Sequence, residues 1–166
     1  MQLRPLRTMR DLTPGDERKP LVPVRRGPVV LLVEDDAAMR EMLALVLRND
    51  GCTVVEAEDG DDALEWLGLG ALEGEPRRWP ALVVSDVCLP YLSGLDLLEG
   101  LSSVTKRLPV VLITGVRDAV THERAIELGA LCVLDKPFSL NDFRSVVRAA
   151  LRQHSRAASA PGDDVV

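Results

Sequence analysis

Residues 29–36 read Val-Val-Leu-Leu-Val-Glu-Asp-Asp, an unbroken aliphatic run that ends in three consecutive carboxylates. A strand buried on both faces of a parallel sheet is apolar at every position, because it has no solvent-facing side. The five aliphatic residues therefore predict such a strand. The carboxylates follow at the point where this strand ends.

The chain downstream repeats this pattern of a short apolar run followed by an amphipathic stretch. We predict further strands at 52–56, 81–85, 110–113 and 131–134, and helices around 39–50, 61–68, 97–104, 118–128 and 143–150. Alternating strands and helices imply a parallel sheet with helices on both faces, and right-handed crossovers favour a doubly wound arrangement. The predicted fold class is therefore α/β, a (βα)5 doubly wound parallel sheet.

Polar residues stand at the ends of four of these apolar runs. Glu34 and Asp35 follow the first strand, Asp86 the third, Thr114 the fourth and Lys136 the fifth. Because sites in doubly wound sheets form beyond the carboxyl ends of the strands, we expect these side chains to meet. Taken singly, each has an ordinary explanation: acidic residues often cap helices, and threonine commonly ends strands.

The chemistry of this group suits a divalent cation and a phosphoryl group. Several carboxylates in one cleft repel each other, and a hard dication such as Mg²⁺ removes that repulsion while leaving positions open for phosphate oxygens. A lysine can hold a further anionic oxygen, and a carboxylate can itself act as the nucleophile. The group therefore predicts phosphoryl transfer, which depends mainly on positioning and charge neutralisation.

Four segments give the chain a resemblance to a known family. They are residues 31–36, residues 85–90 with Gly94 after them, residues 113–115 and residues 135–138. In this order, each at a strand end, they resemble the receiver domain of bacterial two-component response regulators. The similarity covers about residues 28–153. It implies a flavodoxin-like sheet with strand order 2-1-3-4-5.

The resemblance also assigns roles to individual residues. It implies that Asp86 is the phosphoacceptor, that Lys136 pairs with a phosphoryl oxygen and that Thr114 turns toward the phosphoryl group. It implies a Mg²⁺ ion held directly by Asp35 and Asp86, through a water by Glu34, and by the backbone carbonyl of Cys88, whose thiol reads as a small apolar group. It further implies a cis peptide bond before Pro137, while Asp36 fits a helix N-cap better than a ligand.

Two residues depart from the family pattern on the fifth strand. Val133 stands where receivers usually carry an aromatic residue that couples Thr114 to the face formed by the fourth helix, fifth strand and fifth helix. Asp135 stands where a small or apolar residue is usual. Asp135 either pairs with Lys136 and weakens its hold on phosphate, or it points away.

The expected function is that of a phosphorylated switch. The domain would accept a phosphoryl group on Asp86 from a histidine kinase or phosphotransfer protein, catalyse its own phosphorylation and dephosphorylation without being a turnover enzyme, and bind an unknown output partner. The resemblance also allows a homodimer through the face of the fourth helix, fifth strand and fifth helix.

Two other functions remain open at this stage. One is a degenerate receiver that binds partners without phosphorylation, which Val133 and Asp135 favour. The other is an independent Mg²⁺-dependent phosphatase, which is disfavoured because no Asp-x-Asp pair follows a strand and no phosphate-cradling glycine-rich loop is present.

Composition bounds the remaining possibilities. We read residues 1–27 as a disordered basic arm rich in proline and arginine, residues 28–153 as the domain, and residues 154–166 as a flexible tail. A net charge of −6 argues against direct nucleic-acid binding. Three dispersed cysteines favour a reducing cytoplasm, and neither a signal peptide nor a membrane span is expected.

Overall fold

The fold is described from a computed structural model that covers residues 27–72, 79–104 and 108–159. Five strands and five helices alternate along these residues. The strands are β1 (Val29–Val33), β2 (Thr53–Ala57), β3 (Leu82–Asp86), β4 (Val110–Thr114) and β5 (Cys132–Asp135). The helices are α1 (Ala37–Asn49), α2 (Gly60–Leu72), α3 (Gly94–Val104), α4 (Ala119–Glu127) and α5 (Leu140–Ser159).

The strands form a single parallel sheet in the order β2-β1-β3-β4-β5, which confirms the predicted fold class and strand order. The three central strands are buried at every position, as their continuous aliphatic sequences predict. The edge strands β2 and β5 are partly exposed, and β5 is half-buried throughout.

Alternate residues of the sheet pack into two cores. On one face, residues such as Leu32 and Val84 pack with α1 and α5, where Phe143 is the largest fully buried side chain. On the other face, residues such as Leu31 and Val83 pack with α2, α3 and α4. Helices on both faces leave the central strands almost entirely apolar, and their buried polar residues, Ser85, Asp86 and Thr114, lie at or next to the carboxyl ends of β3 and β4.

Aspartates cap two of the helices that begin next to the carboxyl edge of the sheet. Asp36 accepts a hydrogen bond from the Met39 N–H at 2.7 Å, which confirms its predicted role as the N-cap of α1. Asp118 caps α4 in the same way through the Thr121 N–H, also at 2.7 Å. These caps fix where the loops after β1 and β4 end.

Several boundaries differ from the prediction. Strands β3, β4 and β5 each include one polar residue more than predicted, because the ladder continues through the pairs Asp86–Ile113 and Thr114–Asp135. Helix α5 continues to Ser159, six residues beyond the predicted end of the domain at residue 153, and the alanine and arginine content of residues 154–159 favours helix. Residues 1–26 and 160–166, where the arm and the rest of the tail were predicted, lie outside the described residues. Within the described ranges, no helix combines the length and apolar character that a membrane span requires.

Candidate functional site

The carboxyl edge of the sheet gathers the polar residues that the sequence placed at strand ends. Glu34 follows β1, Asp86 ends β3 and Thr114 ends β4. All three are buried, with 1%, 4% and 0% of their surface exposed. Burial of polar side chains is costly unless partners compensate, so their contacts decide what this edge can do.

Three carboxylates form one cluster at this edge. One oxygen from each of Glu34, Asp35 and Asp86 lies within 4.8 Å of the other two. Asp35 is exposed, while the other two are buried, so the cluster opens to solvent on the side of Asp35. Three like charges this close repel strongly, which a bound cation would relieve.

Lys136 reaches this cluster from the residue after β5. Its Nζ contacts Asp86 Oδ2 directly and lies 3.1 Å from Glu34 Oε2. Partial burial by itself would lower the pKa of the Lys136 amine, but the hydrogen bonds to Asp86 and Glu34 outweigh it and raise that pKa. Lys136 therefore remains an ammonium ion between two buried carboxylates.

The Glu34 carboxyl is less well compensated. Burial raises its pKa, Asp86 raises it further, and the bonds from Lys136 and from the Asp36 N–H only partly oppose this. The Arg40 guanidinium donates to the Glu34 backbone carbonyl at 2.7 Å and so holds the turn rather than the carboxylate. The cluster keeps more negative charge than its one ammonium contact neutralises.

The backbone after β3 holds Asp86 in place. The Cys88 N–H donates to Asp86 Oδ1 at 2.7 Å, so one carboxylate oxygen faces this amide and the other faces Lys136. Gly94 approaches the same strand end closely, since a Cβ there would lie 2.2 Å from the Asp86 carbonyl oxygen. The site therefore needs glycine at position 94 for lack of space.

Thr114 lies at the site, but its hydroxyl is engaged elsewhere. Its Oγ1 accepts from the Val116 N–H at 3.0 Å and lies 3.2 Å from the Val116 carbonyl. The described contacts of this hydroxyl are thus within its own loop. The single O–H of Thr114 is directed at the Val116 carbonyl, so it is not donated to Asp86 in this structure.

Comparisons with known proteins place the chain in a family. The family model for the response regulator receiver domain matches residues 30–148. The chain belongs to the response regulator receiver domain family. This membership agrees with the resemblance that the strand-end segments indicated.

Curated relatives include transcriptional regulators. The chain is 37% identical over 131 residues to the phosphate regulon transcriptional regulatory protein PhoB of Escherichia coli, covering 78% of this chain and 54% of the relative. It is 32% identical over 134 residues to the transcriptional regulatory protein FixJ of Bradyrhizobium diazoefficiens, covering 79% and 60%. The chain therefore spans little more than half the length of these relatives.

Solved structures of receiver domains share the fold. A receiver domain from Clostridium thermocellum superposes with a TM-score of 0.70 at 22% identity, covering 78% of this chain and 98% of that one. A putative response regulator from Chloroflexus aurantiacus gives a TM-score of 0.67 at 30% identity, covering 76% and 98%. The described residues thus have the fold of receiver domains.

The donor set of this receiver fits a magnesium ion. Carboxylate oxygens are the ligands that Mg²⁺ prefers, and the three clustered carboxylates carry more negative charge than Lys136 balances. The exposure of Asp35 leaves an entry path. The Cys88 side chain is exposed, and the predicted use of its carbonyl as a ligand stays a prediction.

Residues near the site resolve two further expectations. The peptide bond before Pro137 is cis, as the resemblance implied. Asp135 does not pair with Lys136: its Oδ1 lies 2.8 Å from His122 Nε2 on α4. The second of the two alternatives for Asp135 is therefore correct.

His122 is a residue whose role the sequence did not reveal. No motif surrounds it in the sequence, and its side chain is 35% exposed. The one available signal was its potential partner, the unusual acidic residue at position 135. Nothing in the sequence shows that α4 places residue 122 opposite residue 135.

Proposed function

We propose that this receiver domain is a switch that accepts a phosphoryl group on Asp86. The observation that carries the proposal is a buried carboxylate that lies against the Lys136 ammonium, beside two further carboxylates able to hold a dication. Membership of the receiver family supports the same function. The donors we expect are a histidine kinase or a histidine phosphotransfer protein.

The chemical step is a transfer between two nucleophiles. An Asp86 carboxylate oxygen forms a bond to phosphorus while the bond from phosphorus to the donor nitrogen breaks, and the electron pair of that bond stays on the donor imidazole. Mg²⁺, held by Asp35, Asp86, Glu34 through water and the Cys88 carbonyl, would supply positive charge to the phosphoryl oxygens. Lys136 would hold one of those oxygens, while the Cys88 N–H keeps the acceptor carboxylate oriented.

The added phosphoryl group would then change the loop after β4. A phosphoryl group on Asp86 adds charge and strong acceptor oxygens within reach of this strand edge. Thr114 would exchange its bond with Val116 for one with a phosphoryl oxygen. The domain would then bind an output partner more tightly in one state than in the other, as switching requires.

The partners of the switch remain proposals. The relatives named above are transcriptional regulators, and this chain spans little more than half of them, so an output protein is expected but not identified. We expect no direct contact of the receiver itself with nucleic acid or membrane, a cytoplasmic location, and a dimer surface at α4, β5 and α5.

A phosphorylation-independent interaction module is the second candidate. Val133 favours it, because this half-buried aliphatic residue on β5 has no ring to follow a movement of Thr114. The other sequence argument for it is weaker, since Asp135 pairs with His122 and leaves Lys136 free for the site.

Phosphorylation by a small donor tests the proposal. Incubation with Mg²⁺ and acetyl phosphate, followed by intact-mass measurement, should add one phosphoryl group to the wild type. The adduct should be absent in Asp86→Asn and present in Asp50→Asn, the same substitution at a remote site. An adduct that survives Asp86→Asn contradicts the acceptor, and no adduct in the wild type favours the interaction module.

A further inference from the structure

Three side-chain ties join the β4–α4 loop and the start of α4 to β4, to β5 and to Lys136. The first is the Thr114 hydroxyl, which holds the Val116 N–H at 3.0 Å. The second is Arg117, whose guanidinium donates to the Lys136 backbone carbonyl at 3.2 Å. The third lies one turn into α4, where His122 Nε2 and Asp135 Oδ1 are 2.8 Å apart.

Two of these ties join α4 and its loop to the last residue of β5 and to the site lysine that follows it. Asp135 immediately precedes Lys136, and the Lys136 N–H also donates to the Thr114 carbonyl at 2.7 Å. The backbone between the two contact points is therefore short and hydrogen-bonded into the sheet. A shift of α4 against β5 has to change the His122–Asp135 pair.

We propose that the His122–Asp135 pair restrains α4 against β5 and thereby opposes the conformation that a phosphoryl group on Asp86 favours. The inference rests on the proposed function and deepens it by naming how the site is regulated. Thr114 has one O–H, so it can donate to the phosphoryl group only by giving up the bond that it donates to the Val116 carbonyl, and the loop then moves against its remaining ties. Whatever weakens those ties eases the change.

Few other charged groups lie close to this pair. On its own helix and loop, His122 has Arg117, Asp118 and Glu123 as charged neighbours, and across from it lies Asp135 on β5; on the adjacent α3, Glu99 faces Arg124 instead.

Equilibrium binding of beryllofluoride with Mg²⁺, a mimic of the phosphoryl group, measures the restraint. His122→Ala and Asp135→Asn should each raise the affinity about two- to fivefold, the range for a half-exposed pair, and the double variant should gain no more than either one. Glu123→Ala, the matched change at the next position of α4, should leave the affinity unchanged.

Amide hydrogen exchange supplies a second readout that needs no phosphoryl group. Exchange in α4 should quicken in His122→Ala and Asp135→Asn, and it should not in Glu123→Ala. Unchanged exchange, or single-variant affinities equal to that of Glu123→Ala, would overturn the restraint. Failure of the wild type to bind beryllofluoride or to accept phosphate from acetyl phosphate would instead overturn the proposed function, and the inference with it.

Discussion

Two ionic clusters lie in different parts of this molecule and have opposite balances of charge. At the carboxyl edge of the sheet, Lys136 contacts the buried Glu34 and Asp86. At the end of α1, the single carboxylate of Asp50 lies 3.6 Å from Arg144 and 3.2 Å from Arg148, two arginines of α5. The first has an excess of carboxylates, and the second has an excess of cations.

The difference shows which cluster is built for a ligand. The side chains of Asp50, Arg144 and Arg148 are 17%, 35% and 59% exposed, so water hydrates much of the charge that the ion pairs leave uncompensated, although the Arg144 Nε is itself buried without a hydrogen-bond partner. Glu34 and Asp86 are buried, so their excess negative charge cannot be hydrated in this way. A buried cluster with excess negative charge is therefore suited to bind a cation, whereas the more exposed cluster with excess positive charge serves the packing of α1 against α5.

Removing the lysine should have the largest effect on stability. Lys136→Met leaves two buried carboxylates without their ammonium, so we expect a loss of about 3 kcal/mol in the free energy of unfolding without metal. Mg²⁺ should recover part of this loss, because a dication replaces the missing charge. Urea unfolding with and without Mg²⁺ measures both effects, and a loss that Mg²⁺ does not reduce would contradict the charge argument.

The same variant also has a predicted pH dependence. Because the pKa of Lys136 is raised above its ordinary value of 10.5, its contribution is present below that value and is lost as pH rises through the raised pKa. The stability difference between wild type and Lys136→Met should therefore narrow above about pH 10.5. A difference that stays constant to higher pH would indicate that the lysine acts through packing alone.

Crowding at the acceptor strand should have the next largest effect. Gly94→Ala would place a Cβ 2.2 Å from the Asp86 carbonyl oxygen, so the backbone would have to shift. We expect this shift to lower the free energy of unfolding by about 2 kcal/mol. Gly100→Ala on the same helix is the control, because a Cβ there meets no atom within 4 Å and should stabilise the helix. Equal effects of the two substitutions on thermal unfolding would contradict the crowding.

Backbone strain beside the acceptor predicts a smaller change in the opposite direction. Tyr91, in the loop after β3, has a φ of 64°, and its side chain is 95% exposed, so little packing offsets the strain. Tyr91→Gly should raise the free energy of unfolding by about 0.7 kcal/mol, because the relief of backbone strain exceeds the entropy that a glycine loses on folding. Tyr91→Ala keeps the positive φ on a residue with a Cβ, so it should not raise the free energy of unfolding in this way. If chemical unfolding showed the same gain for Tyr91→Ala as for Tyr91→Gly, backbone strain would not be the cause.

The arginine cluster should show the smallest effect. Asp50→Asn removes both ion pairs with α5, but it also removes a negative charge from the carbonyl end of α1, where the helix dipole disfavours it. We therefore expect the free energy of unfolding to fall by only about 0.3 kcal/mol. Mg²⁺ affinity, measured by calorimetry, should not change, and a change would mean that the two clusters are coupled.

Much of the site could be predicted because its residues occupy local positions in a simple pattern. Asp86, Thr114 and Lys136 each stand where an aliphatic run stops, and in a parallel sheet all such points lie at one edge. The strand ends themselves were less predictable. Ladder hydrogen bonds extend β3 through Asp86 and β4 through Thr114, which depends on the neighbouring strand rather than on local sequence.

The sequence by itself determined the parallel sheet, its helical layers and the residues of the acidic cluster. Continuous aliphatic runs indicate the buried strands, and the acidic residues stand where those runs end. Only the tertiary structure decided that Asp135 turns to His122 and that the Thr114 hydroxyl is held by Val116. Such choices depend on which side chains lie within about 3 Å in space, and a short polar side chain in sequence carries no record of its partner.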